Sequence, residues 1–194
     1  MDGKKNILFV GRLEDRKGLN HLLEALPMTA SEIPSIRLIV VGDGPNKHAY
    51  KQQAEAIVKA TGAEICFEGA VSAEKLPSYY KTADVFSSPA PYGESQGIVN
   101  LEAQASGVPP VSGDNPGYRT SVKSGVDGIL VNPKDTQNYS NWLKIVLTSE
   151  SLRSTLIENG LMTAKEHDWQ IISKKTIEYY LRKITQKQAN LKDR

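Results

Sequence analysis

The chain has one cysteine, Cys66, in 194 residues, so it cannot form an internal disulfide. Cys66 lies in the run "EICFEG" (64–69), which predicts a buried thiol in a reducing compartment and not a nucleophile. Histidine is scarce too. His21, His48 and His167 fall in separate stretches without metal-ligand spacing, and no Cys/His cluster, G-x-S-x-G turn or Ser/His/Asp set is readable. No protein-bound metal site is expected. Long apolar runs are missing: none approaches the ~20 residues that span a bilayer. The opening Met1-Asp2-Gly3-Lys4-Lys5 has no apolar segment behind it, so no secretory signal is expected and a cytoplasmic protein is. One-sided charge is also absent. The balance of 24 Lys+Arg against 22 Asp+Glu does not suggest a nucleic-acid partner. Two common phosphate-binding fingerprints, G-x-x-x-x-G-K-[ST] and G-x-G-x-x-G, do not occur.

What is present is an alternation. Short apolar runs, "NILFV" (6–10), "IRLIVVG" (36–42), "EICFEG" (64–69), "DVFSSP" (84–89), "PPVSG" (109–113) and "GILVN" (128–132), are separated by helical stretches. Leu19, Leu22, Leu23 and Leu26 share one helix face. Further helices are expected near 46–61, from Ser72, over about 97–106, near 117–124, over 135–148 and 150–165, and from Trp169 into the high 180s. Six strands that read as nearly continuous apolar runs predict a parallel sheet buried on both sides. With right-handed crossovers, the expected fold is one α/β domain, a doubly wound, Rossmann-like parallel six-stranded sheet with helices on both faces. The last stretch, 171–194, is amphipathic with a basic face. Packing on its own domain is the expectation, with peripheral contact at the inner face of a membrane as the alternative.

In an open sheet of this kind the ligand lies beyond the carboxyl ends of the strands. Those ends carry Gly11-Arg12, Gly42-Asp43-Gly44, Glu68-Gly69, Ser87-Ser88-Pro89, Ser112-Gly113 and Asn132. In "GRLEDRKG" (11–18), Arg12 and Lys17 place two cations on one loop between Gly11 and Gly18, an arrangement suited to a diphosphate. They could equally be solvated loop charges. Asp43 sits between two glycines, where it could line a nucleotide site or make a turn. In "YGESQGIVNLEAQASG" (92–107), Ser95 or Glu94 is a candidate cap for the next helix, and Gly97 would admit a ligand to its first amides. Glu102 lies in a helix that reads as apolar nearly all round. A buried carboxylate needs a partner. Paired ribose hydroxyls or a salt bridge to Lys or Arg would each serve.

Taken together, these blocks resemble the C-terminal, donor-binding half of a GT-B glycosyltransferase of glycosyltransferase family 4. The resemblance runs through "GRLEDRKGLNHLLEAL", "IRLIVVGDGP", "CFEGAVSAEKLPSYYKTADVFSSPA", "ESQGIVNLEAQASGVPPVSG" and "GVDGILVNPKD" to the closing "W…YY" helix. The pair of glutamates Glu94 and Glu102 is its most specific feature. The resemblance implies a retaining hexosyltransferase that takes a UDP- or GDP-hexose as co-substrate, without metal or other cofactor, for transfer to a lipid-linked or saccharide acceptor. It assigns Arg12 and Lys17 to the donor diphosphate, Glu94 to the sugar ring and the amides of Ile98 and Val99 to sugar or phosphate. Glu102 would hold the ribose, and the turn from Gly69 to Val71 would flank the base. Two departures stand out. Gln96 replaces an aromatic residue, and Asn115-Pro116-Gly117 occupies a place where a Gly-Gly-x-x-E stretch is usual. The resemblance also implies that the acceptor-binding N-terminal domain is missing and that the isolated chain binds donor without transferring it. Two other classes stay open: a GT-B sugar-nucleotide epimerase half and a non-catalytic nucleotide-binding or flavodoxin-like module.

Overall fold

The computed structural model describes residues 3–192, with side chains through residue 188. Six strands pair in parallel: β1 (Lys5–Val10), β2 (Ile36–Val41), β3 (Glu64–Gly69), β4 (Val85–Ser88), β5 (Pro110–Gly113) and β6 (Ile129–Val131). Their order is β3-β2-β1-β4-β5-β6. The chain leaves β1 on one side to build β2 and β3, then returns to β1's other edge to build β4 to β6. The expected doubly wound α/β sheet is therefore present.

Strand alternation assigns each residue a face. From β1, Ile7 and Phe9 enter one core and Leu8 the other. The first core is covered by α1 (Leu19–Ala30), α2 (Lys47–Thr61) and α5 (Thr136–Thr148). Leu19, Leu22, Leu23 and Leu26 of α1 are fully buried, as their spacing predicts. Each such leucine contributes about 2 kcal/mol of transfer free energy. The second core gathers Ile39, Val41 and Phe86 under α3 (Leu76–Thr82) and α4 (Ile98–Ala105), with Tyr80 and Ala103 at its centre. Next come α6 (Glu150–Glu166) and α7 (Trp169–Lys192).

The structure corrects several expectations. Edge strand β3 is apolar on one side only: Ile65 and Phe67 pack on the first core, while Glu64, Cys66 and Glu68 alternate to the other side. Cys66 is thus half-buried. Burial, then its contact to Glu64, pushes the thiol pKa up and leaves it less nucleophilic. The helix expected from Ser72 begins at Leu76, after a turn. The helix expected near 117–124 is one 3-10 turn, Tyr118–Thr120. The largest departure is α7, which is half-buried only at Ile171 and Ile172 and beyond them packs on nothing among the described residues. Residues 173–188 are exposed throughout, including Ile177, Tyr180, Leu181 and Ile184. No helix among the described residues is long and apolar enough to cross a membrane.

Candidate functional site

The strand order reverses between β1 and β4, and an α/β sheet opens a crevice at such a reversal. Here that crevice lies between the loop after β1, residues 11–18, and the loop after β4, residues 89–97. Close backbone contacts hold the loop after β1 against the loop after β2, residues 42–46. A Cβ on Gly42 would lie 1.9 Å from the Gly11 carbonyl oxygen, and Gly42 has φ +136°, so only glycine fits. The first and second loops are then stitched by Leu13 N to Asp43 O at 3.0 Å and Asn46 N to Leu13 O at 2.9 Å.

At the centre is Glu94. Its Oε1 accepts from Lys17 Nζ at 2.6 Å and from Arg16 Nη1 at 3.0 Å. Its side chain is only 9% exposed. The Lys17–Glu94 contact joins residues far apart in sequence across the crevice, which confirms that the two loops converge. Arg16 is fixed from three directions, since it also donates to the Gly93 carbonyl at 2.7 Å and to Glu14 Oε1 at 2.9 Å. Arg12 is not gathered into this cluster. Its side chain is 71% exposed, and its contact is to Glu14 Oε2 at 3.7 Å. Sequence reasoning had paired Arg12 with Lys17 and missed Arg16. The only signal was its position beside Lys17 in a short 3-10 turn, Asp15–Lys17.

Neither Glu94 nor Ser95 caps α4. Its N-cap is Gly97, at φ +74°, and no side chain caps the first turn. A Cβ at Gly97 would lie 2.5 Å from the ring of buried Tyr118, so the loop needs glycine here for both reasons. The amides of Ile98 and Val99 therefore start a helix beside Glu94 with no capping oxygen, a setting that favours an anion. α4 is also less apolar in its burial than the sequence suggested. It buries Asn100, Ala103 and Gln104, while Ile98 is exposed. Asn100 Oδ1 accepts from Ser112 Oγ at 2.8 Å, which ties α4 to the end of β5.

Glu102 is half-buried, and its partner is not a cation. Glu102 Oε2 accepts from the Tyr80 hydroxyl at 2.7 Å. Burial, then the charge of Glu102, push the Tyr80 pKa well above that of an ordinary tyrosine. Tyr80 thus remains a proton donor throughout the neutral range, and the two oxygens of Glu102 leave room for further donors. No salt bridge to Glu102 occurs among the described residues, so the salt-bridge alternative is set aside. Tyr80 was not singled out from the sequence, where it is one of two adjacent tyrosines and only the fold decides which one turns inward.

The remaining expected residues are peripheral to Glu94. Asp43 is held in its own turn, with Gly44 N donating at 2.8 Å and Lys47 Nζ at 2.7 Å. Lys47 and then the Gly44 amide hold its pKa below the usual value. Gly69 is a turn residue at φ +74°, and Val71 packs on the second core. In the 112–120 stretch, Asn115 is buried, donates to the Ala90 carbonyl at 2.9 Å and accepts from Tyr118 N at 2.9 Å. Asp114 and Arg119 form a two-bond ion pair at 2.6 and 2.9 Å. The Asn-Pro-Gly departure therefore builds a rigid brace beside the Glu94 loop. Among the described residues no group of three or more His, Cys, Asp or Glu side chains could hold a metal ion.

A groove of about 940 Å³ lies elsewhere, running from the amino ends of β1 and β2 along the polar face of β3 to α3. Several of its charges pair with one another: Glu64 with Lys4 and Arg37, and Asp84 with Lys5. The convergence of charge, an uncapped helix start and glycine-dependent loops favours the crevice around Glu94 over that groove.

Comparison with known proteins bears on the family and the fold. A family profile described as "Glycosyl transferases group 1" matches residues 1–162. A phosphatidyl-myo-inositol mannosyltransferase of Mycobacterium leprae is 31% identical over 177 residues, covering 91% of this chain and 46% of that protein. A D-inositol 3-phosphate glycosyltransferase of Corynebacterium urealyticum is 32% identical over 182 residues, covering 91% of this chain and 42% of that protein. The chain thus spans about half the length of these curated relatives. Among solved structures, the C-terminal domain of a glycosyl transferase group 1 family protein from Francisella tularensis superposes with a TM-score of 0.75 at 26% identity. The match covers 84% of this chain and 85% of that one. The Anabaena protein HepE, solved with UDP and glucose, superposes with a TM-score of 0.78 at 22% identity over 93% of this chain and 48% of that one, which shows the shared fold. On the strength of the family match, the chain belongs to the glycosyl transferases group 1 family.

Proposed function

We propose that this chain is the donor-binding, C-terminal half of a retaining GT-B glycosyltransferase of family 4, and that it takes a nucleoside-diphosphate hexose with UDP or GDP as the carrier. The observation that carries this reading is the Lys17–Glu94 contact, which sets a cation and a carboxylate side by side at the sheet's switch point. The likeness to a solved C-terminal group 1 domain supports the assignment to that half. The half-length match to relatives named as mannosyl- and glycosyltransferases supports an acceptor-binding half on another part of the enzyme, with a lipid or saccharide acceptor.

In this reading the leaving diphosphate lies over the start of α4. Lys17 and the amides of Ile98 and Val99 stabilise the charge that grows as the sugar departs, and Arg12, turned to solvent without a donor, would swing in to join them. This electrostatic work needs no metal. Glu94 presents its carboxylate to the sugar, and Glu102, oriented by Tyr80, accepts from the ribose hydroxyls. The turn at Gly69 to Val71 borders the base. The chain alone binds donor but transfers nothing, because no acceptor is held over the sugar.

The test is titration of the chain with UDP and GDP, read by calorimetry and by thermal shift, since ligand binding to the native state raises the melting temperature. One nucleotide should bind, and Glu102→Ala should weaken it about tenfold, ~1.4 kcal/mol. Binding of neither nucleotide would leave the non-catalytic reading in place. Transfer to a lipid or sugar acceptor by the chain alone would refute its status as half an enzyme.

A further inference from the structure

Glu94 Oε1 is doubly occupied, by Lys17 at 2.6 Å and by Arg16 at 3.0 Å. No protein group meets its Oε2 among the described residues. On the reading proposed above, this arrangement has to change when a donor arrives. A diphosphate needs the Lys17 ammonium, yet that ammonium is already neutralised by Glu94. Drawing it away would leave a carboxylate that is 9% exposed beside a second anion, a costly pairing. Arg16 is placed to prevent this. It is held by Glu14 Oε1 at 2.9 Å and by the Gly93 carbonyl at 2.7 Å, so its guanidinium can stay with Glu94 when Lys17, whose ammonium bonds only to Glu94 among the described residues, moves. A planar fork with several fixed donors suits a standing partner, and a single ammonium on a four-carbon stem suits an exchangeable one.

We propose that Arg16 is a positioning residue that keeps Glu94 paired while Lys17 transfers from Glu94 to the diphosphate of the bound nucleotide. The two adjacent cations of the 3-10 turn then have different tasks: Lys17 is the cation that moves and Arg16 the one that stays. The inference rests on the donor-site reading.

The experiment is a double-mutant cycle on the affinity of the chain for UDP and GDP at fixed ionic strength. These nucleotides lack the sugar, so any contact of Glu94 to sugar does not enter. Arg16→Ala should weaken binding about five- to twentyfold, because Glu94 then retains Lys17. Glu94→Gln should tighten binding, because Lys17 is released. In the Glu94→Gln background, Arg16→Ala should change affinity less than about twofold. Arg16→Lys keeps the charge but cannot reach all three acceptors, so it should fall between parent and Arg16→Ala. The same loss from Arg16→Ala in both backgrounds, or no loss in either, would overturn the exchange. Should Arg16→Ala unfold the chain, the Arg16→Lys pair of measurements decides in the same way. Lys17→Ala separates the two levels. If it leaves affinity unchanged, or if the parent chain binds neither nucleotide, the donor-site reading fails and this inference with it. If Lys17→Ala abolishes binding while the cycle is additive, only the role of Arg16 fails.

Discussion

The two ends of the sheet use their charged side chains in opposite ways. At the amino end, Glu64 is shared by Lys4 and Arg37, and Asp84 takes Lys5 and the amide of Asn6 at 2.8 Å. Those pairs are mutual, lie about one-third exposed and sit in an open groove. At the carboxyl end, Glu94 is nearly buried and holds two cations on one oxygen, and Glu102 has an uncharged partner. The backbone around them is packed so tightly that glycine is needed. Matched, solvated pairs decorate a fold. Unequal charge beside a nearly buried carboxylate in a braced crevice has capacity left for a ligand, and this is why the crevice around Glu94 is the better candidate site.

The comparison can be broken by substitution, and the largest effect should come from the carboxyl end's backbone. Gly42→Ala places a methyl 1.9 Å from the Gly11 carbonyl oxygen at φ +136° and should cost over about 3 kcal/mol in denaturant titration. Gly62→Ala has an unfavourable φ of +74° but open space, and should cost only about 1 kcal/mol. Equal costs would mean that the loops are not braced by contact. Next, Tyr80→Phe removes the hydrogen bond that orients Glu102. It should lower nucleotide affinity about fivefold, ~1 kcal/mol, by calorimetry. An unchanged affinity would detach Glu102 from the site.

At the other extreme, the exposed segment of α7 should be dispensable to the domain. Removing residues 173–192 should shift the melting temperature by no more than about 2 °C, since that face packs on nothing described. A larger drop would show that α7 supports the sheet. The smallest effect belongs to the amino end. Lys4 and then Arg37 hold the Glu64 pKa at about 2, below its ordinary 4.5. A depressed carboxylate pKa stabilises the folded state above the unfolded value and loses that contribution as pH falls through the folded one. Glu64→Gln should thus cost less than about 1 kcal/mol at pH 7, because the pair is solvated. Most of that difference should be gone as the pH approaches 2.

Legibility followed the range of the interactions. The α1 leucines were readable because helix periodicity is local, and all of them are buried. The strands were readable from their apolar runs, but the polar face of β3 was read as buried because its place at the sheet edge is a property of strand order. The end of the α4 loop was misread for a related reason. Ser95 and Glu94 are good capping residues in isolation, yet Gly97 takes the cap because Tyr118, distant in sequence, fills the space beside it. Amphipathicity of α7 was visible, but whether anything meets its apolar face was not.

By itself the sequence determined the doubly wound class, the chain positions of Lys17, Glu94 and Glu102, and the family resemblance, because these depend on residue type and short-range pattern. Tertiary structure alone decided which charges meet. It turned Arg12 outward, put Arg16 on Glu94 beside Lys17 and set Tyr80 against Glu102. Those contacts join residues from 22 to 78 positions apart, and only the strand order and the closeness of the loops bring them within hydrogen-bonding distance.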